Sequence, residues 1–207
     1  KGKTLETILN VWRNDLGYFV PEPQIINARN YGVPQNRERI FIVGFSKETG
    51  IKEFEYPKPL KKTVKFADIK EKKVPPTKFF LSTQYLKTLH SHKERHASKG
   101  NGFGFEIIPD DGIANAVVCG GMGRERNLVI DKRITDFTPT THIKGEVNRE
   151  GIRKMTPREW ARLQGFPDKF IIDVVADASA YKQFGNSVAV PAIQATAEKI
   201  LLALKIK

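Results

Sequence analysis

Gln35, Arg37 and Arg39 stand two residues apart in "VPQNRERIFIVGF", at the entrance to the apolar run Ile40 to Phe45. That run fits a strand covered on both faces. Side chains of an extended segment alternate, so these three project to one side and Glu38 to the other. A guanidinium keeps its charge, so that face calls for an anionic or carbonyl partner. A solvated strand entrance is the alternative the residues leave open. A second set lies in "YKQFGNSVAVPAI". Proline is harmless only in the first turn of a helix, whose amides lack internal acceptors. Pro191 and the stripe Ile193, Ala197, Ile200, Leu201 and Leu204 therefore predict a helix beginning near Ser187 or Val188. Gly185, Asn186 and Ser187 would sit on its amino end, where free N–H groups and positive dipole suit a polar or anionic ligand. Simple capping by Asn186 or Ser187 fits equally.

The middle of the chain offers other chemistry. In "KGNGFGFE" Gly100, Gly102 and Gly104 alternate with Asn101, Phe103 and Phe105, and "CGGMGRERNLVID" sets Arg124 and Arg126 beside three glycines. Glycine admits close backbone approach and arginine reads base edges or grips phosphates; turns of a small irregular sheet would look the same. His90, His92 and His96 in "LHSHKERH" invite a metal, but only His92 and His96 share a helical face and no Cys or acidic cluster completes a set. A solvated basic helix and no metal is the expectation. Cys119, the single cysteine, has no adjacent base, and its apolar approach predicts a small buried residue.

The elements that must position these groups are legible in outline. Leu5, Ile8, Leu9, Trp12 and Leu16 recur at helical spacing before Gly17, and a strand is expected around Gln24 to Asn27. Helix and strands together indicate α/β. Lys-rich, Pro-punctuated sequence then marks a border near residue 55. In "MTPREWARLQGFPD" Thr156 caps a helix, Pro157 takes its first position, Glu159 completes a capping box and Gly165 ends it. With 35 Lys and Arg against 23 Asp and Glu, the net charge of +12 favours a polyanion such as nucleic acid. One Cys excludes an internal disulfide framework, and no apolar stretch reaches membrane-spanning length. A soluble cytoplasmic protein without a membrane partner is expected.

Three stretches, in order, resemble the carboxyl-terminal half of the bacterial DNA cytosine-5 methyltransferases: "NARNYGVPQNRERIFIVGF", "RKMTPREWARLQGFPDKF" and "YKQFGNSVAVPAI". They are similar to the family's Gln-x-Arg-x-Arg block, its Thr-Pro-Arg-Glu helix and its Gly-Asn-Ser-Val block. The resemblance implies part of a Rossmann-like methyltransferase domain plus a smaller, loop-rich, mostly β target recognition domain. Residues 1–55 would end the catalytic domain, 56–173 would form the recognition domain with the supporting helix, and 174–207 would return to the catalytic domain. It further implies a methyl group passing from S-adenosyl-L-methionine to a flipped cytosine in double-stranded DNA, in a restriction-modification setting. Arg39 would meet the base with Arg37 and Gln35 in support, Asn186, Ser187 and Val188 would border the cofactor, and Arg124, Arg126 and Asn101 would contact DNA. Arg158 and Glu159 would be structural.

The family's Pro-Cys-Gln and Glu-Asn-Val blocks do not occur in these 207 residues, and Ala116-Val117 stands near where many members carry Thr and an aliphatic residue. The expectation is therefore a split subunit or a piece of one enzyme, inactive alone, whose partner is an amino-terminal half bearing the nucleophilic cysteine. A non-catalytic DNA-recognition module and a tRNA-directed member of the same family are the competing readings.

Overall fold

The computed structural model describes residues 2–102, 104–120, 123–139 and 145–205. The first apolar stripe forms helix α1 (Lys3–Asn10), prolonged by a π-helical turn over Val11–Asp15 and stopped at Gly17, whose φ of 64° is costly for any residue with a Cβ. Strand β1 (Gln24–Asn27) precedes β2 (Gln35–Asn36) and β3 (Glu38–Phe41), and β1 pairs antiparallel with β3 in the register Ile25↔Ile40 and Asn27↔Glu38. The expected strand covered on both faces differs in two respects. It ends at Phe41 rather than running to Phe45, and the partners Ile25 and Ile40 are 71% and 48% exposed. No described element covers that face, whereas Val43 and Phe45 beyond the strand turn into the core.

The region beyond residue 55 contains helices α2 (Phe66–Ile69) and α3 (Thr83–Ala97) and short strands β4 (Ile107–Ile108), β5 (Ala114–Asn115), β6 (Leu128–Ile130) and β7 (Ile152–Lys154). Where a mostly β region is expected, the longest regular element is the 15-residue α3, capped by Ser82 Oγ accepting from the Tyr85 amide. Its Leu86 and Leu89 stripe supplies the helical period, while the strands are two or three residues long. Strands β4, β6 and β7 form one sheet in that order, parallel then antiparallel, and β2 pairs in parallel with β5. Three helices follow: α4 (Pro157–Leu163), α5 (Asp177–Asn186) and α6 (Val190–Ala203).

Two main cores result. One joins Ile26, Val43, Phe45 and Tyr56 to Ala189 and Ala192; the other joins Phe66, Ile108, Val117 and Val129 to Trp160, Leu163, Tyr181 and Phe184. Helices α5 and α6 therefore serve different cores, with Ser187–Ala189 as the link between them. Helix α4 carries the anticipated capping box, Thr156 Oγ1 accepting from the Glu159 amide at 3.1 Å and Glu159 Oε2 from the Thr156 amide at 2.8 Å.

Glu159 also anchors a buried ion network. Both its carboxylate oxygens accept from Arg153, at 2.7 and 2.8 Å, and Arg153 Nε donates to Asp131 Oδ2 at 3.1 Å. Burial acts to raise the Asp131 pKa, but hydrogen bonds from Arg133 and the Arg153 charge outweigh it and hold the carboxyl at about 2 against an ordinary 3.8. Folding thus favours the ionised form. Its contribution is complete above the ordinary value and is lost as pH falls through the lower one. We expect the stability difference between the native chain and Asp131→Asn to shrink by about 2 kcal/mol as pH drops from about 4 to about 2. Urea titrations across that window test it, and a constant difference would show that Asp131 titrates alike folded and unfolded.

Candidate active site

Gln35 and Arg37 are drawn inward by backbone groups. Gln35 is fully buried; its Nε2 donates to the Leu163 carbonyl at 2.8 Å and its Oε1 accepts from the Val117 amide at 3.0 Å. Arg37, 6% exposed, donates from Nη1 to the Val117 carbonyl at 2.7 Å and from Nη2 to the Ser187 carbonyl at 2.9 Å. Carbonyl dipoles, rather than a carboxylate, are its partners. Burial, followed by the charge of Arg39, pushes its pKa down. The alternation expected of an unbroken strand fails at Arg37: its amide bonds the Asn27 side chain at 3.1 Å and its carbonyl accepts from Ala28. Gln35 and Arg37 are consequently buried while Arg39 stays exposed, with Nη1 donating to the Glu38 carbonyl at 2.6 Å.

Arg37, Arg39, Asn186, Ser187 and Val188 together line a pocket of about 440 Å³. Its apolar lining includes Ile26, Ala28 and Ala192. The helix start is not where the sequence places it. Helix α6 begins at Val190 with Ala189 as its N-cap, Pro191 stands in its first turn, and Gly185 and Asn186 close α5. Ser187 ends α5 instead of opening α6, its Oγ donating to the Phe184 carbonyl at 2.8 Å. The reason is a close packing invisible in the sequence. A Cβ on Gly185 would lie 2.5 Å from the Cys119 amide nitrogen, so this glycine lets α5 continue against the Val118–Cys119 backbone. The Asn186 side chain is exposed and makes no hydrogen bond among the described residues.

The DNA-contact candidates separate. Arg124 lays its guanidinium over the Tyr181 ring at 5.4 Å, whereas the exposed Arg126 lines a second cavity of about 440 Å³ with His92 and His96. Asn101 is exposed beside that cavity, its amide donating to the His96 carbonyl at 2.9 Å; Phe103 lies outside the described residues. Two expectations are corrected here. Cys119 is exposed, although its backbone packs closely against the buried Gly185. His92 and His96 are partly buried, their rings 4.4 Å apart, rather than fully solvated. Among the described residues no group of three or more His, Cys, Asp or Glu could hold a metal ion, and no helix is long and apolar enough to cross a membrane.

One residue escaped the sequence reading. Gln164 is fully buried and ties Gln35 to α5, its Oε1 accepting from Gln35 at 3.2 Å and its Nε2 donating to the Phe184 carbonyl at 2.8 Å. Its place beside Gly165 at the end of a capped helix was the available signal.

A family model described as C-5 cytosine-specific DNA methylase matches residues 1–202. The chain belongs to this family. The type II methyltransferase M.HpaII of Haemophilus parainfluenzae is 79% identical over 201 residues, an alignment covering 97% of this chain and 56% of that protein. M.SsoII of Shigella sonnei is 40% identical over 206 residues, covering 99% and 50%. The chain thus spans about half the length of these type II methyltransferases. The solved Entamoeba histolytica methyltransferase EhMeth superposes with a TM-score of 0.70 at 17% identity, over 98% of this chain and 59% of that one. This likeness establishes a shared methyltransferase α/β fold.

Proposed function

We propose that this chain is the carboxyl-terminal portion of a DNA (cytosine-5-)-methyltransferase that modifies a flipped cytosine in a specific duplex site within a restriction-modification system. The observation that carries the reading is the convergence of Arg37 and Arg39 with Asn186, Ser187 and Val188 on one pocket from strands and helix ends far apart in sequence. S-adenosyl-L-methionine supplies the methyl group. The residues suit it: Asn186 offers an amide with no partner among the described residues, and Val188, 52% exposed, offers apolar contact. Asn186, Ser187 and Val188 would hold it. Arg39, kept at the rim by its bond to the Glu38 carbonyl, presents its remaining donors to a base carbonyl, and Gln35 and Arg37 fix the wall behind. In this reading residues 1–55 and 174–207 complete the catalytic domain, supported by the core of Ile26, Val43 and Ala192. Residues 56–173 present the DNA-recognition surface, and Arg124, Arg126 and Asn101 face the duplex.

A partner segment bearing the nucleophilic cysteine is part of the proposal. Ile25, Ile40, Leu16 and Ile193 stand 71%, 48%, 55% and 42% exposed, an apolar surface of the kind a missing sheet covers. Labelled methyl incorporation into duplex DNA provides the test. We expect none from residues 1–207 alone and recovery when a fragment carrying a Pro-Cys-Gln block is co-expressed with them. Activity of this chain alone, surviving Cys119→Ser, would place the nucleophile elsewhere. An associated but inactive pair would count against the split-enzyme reading.

A further inference from the structure

Asn27 is buried at the end of β1, between Ile26 and Ala28, and both of those neighbours line the pocket that Arg39 enters. Its side-chain amide spends its full capacity, two lone pairs and two donors, on protein groups. Oδ1 accepts from the Arg29 amide at 3.3 Å and from the Arg37 amide at 3.1 Å. Nδ2 donates to Asn36 Oδ1 at 2.6 Å and, more weakly, to Glu38 Oε1 at 3.4 Å. The two backbone donors fix which end of the amide is oxygen. The Arg29 bond caps the short 3-10 turn Ala28–Tyr31, a local task that serine performs as well. The other three bonds reach across to the segment that carries Arg37 and Arg39. Capping alone does not call for them.

We propose that Asn27 is a positioning residue that acts through Arg39, a role that rests on the methyltransferase reading of the pocket. Ile26 stands opposite Arg39 in the β1–β3 register and Asn27 opposite Glu38, where the ladder ends. At that end Ala28 donates to the Arg37 carbonyl at 3.0 Å, while the Arg37 amide turns to Asn27 Oδ1. Arg37 is thereby sent inward and Arg39 left at the pocket rim. Arg39 Nη1 is itself anchored to the Glu38 carbonyl at 2.6 Å, on the residue whose side chain Asn27 touches. A guanidinium tied to its neighbouring peptide follows any rotation of that peptide. Without the bridge from Asn27 the donors of Arg39 lose their aim at an extruded base, and a misplacement of about 1 Å costs on the order of 100-fold in rate. Ground-state binding of the duplex does not draw on that aim.

The experiment uses the complete enzyme, this chain with its cysteine-bearing counterpart, as native protein, Asn27→Leu, Asn27→Ser and Asn27→Asp, each with Arg39 intact and with Arg39→Ala. Single-turnover methyl transfer at saturating methyl donor is read beside equilibrium duplex affinity. Leucine removes every bond, and serine keeps the cap but loses the bridge to Arg37. Aspartate keeps both acceptor contacts, and the exposed Asn36 can turn its own amide to donate. Asn27→Leu and Asn27→Ser should lower the rate about 30-fold with duplex affinity changed by less than about threefold, and Asn27→Asp should stay within about fivefold of native. In the Arg39→Ala background the same substitutions should cost less than about threefold, because the group they displace is already gone. Fully additive losses, or a loss in Asn27→Asp as large as that in Asn27→Ser, would overturn the positioning role. So would an unchanged rate in Asn27→Ser, which decides the matter even should Asn27→Leu fail to fold. Native enzyme that binds duplex DNA yet transfers no methyl group would instead overturn the methyltransferase reading, and the role with it.

Discussion

Arg39→Ala in the complete enzyme is expected to lower the methyl-transfer rate by about 100-fold or more while duplex affinity changes by less than about threefold. The argument rests on what the side chain lacks. Arg39 lines the pocket, is exposed, and spends one donor on the Glu38 carbonyl. Its other donors have no protein acceptor to lose among the described residues, so truncation leaves the fold intact and removes only what would meet an extruded base. An interaction made after flipping contributes to the rate and little to ground-state binding. Single-turnover methylation beside equilibrium duplex titration measures the split. Equal losses in both would make Arg39 a phosphate contact. Arg37→Ala would not report the same thing, because its guanidinium is bonded to the Val117 and Ser187 carbonyls and its removal loosens the wall itself.

Glu159→Ala should destabilise the protein by about 3–5 kcal/mol, a large share of the ordinary stability of a domain. Arg153 is fully buried and takes both its strongest contacts from Glu159, so the substitution strands a charge in the core and also uncaps α4. Asp131 compensates in part through its single 3.1 Å bond to Nε. The double variant Arg153→Met/Glu159→Leu should recover much of the loss, since the cost lies in the unpaired ion and not in an absence of contacts. Urea unfolding of the three proteins measures both effects. A loss under about 1 kcal/mol in Glu159→Ala would show that water reaches the network.

Local structure and the chemistry of single side chains follow directly from the order of residues. Side-chain spacing set α1 and α4, the capping pattern set the first residue of α4, and Pro191 confined the start of the last helix to within a turn. Pairing of arginines with carbonyl oxygens was likewise open to reading from Arg37, since a guanidinium cannot discharge and must find acceptors. What the spacing of Arg37 and Arg39 could not reveal was their difference in burial. A kink held by Asn27 breaks the two-residue alternation, and Asn27 is ten residues away in sequence. The same holds at the helix junction. Asn186 ends α5 rather than starting α6 because Gly185 meets the Val118–Cys119 backbone, a contact between segments more than sixty residues apart. The ion network that buries Glu159, the exposure of Cys119 and the enclosure of His92 also come from packing between distant segments. Local propensity acts over a turn or a strand, whereas which side chain is buried, and beside what, is fixed only when surfaces from far along the chain compete for the same volume.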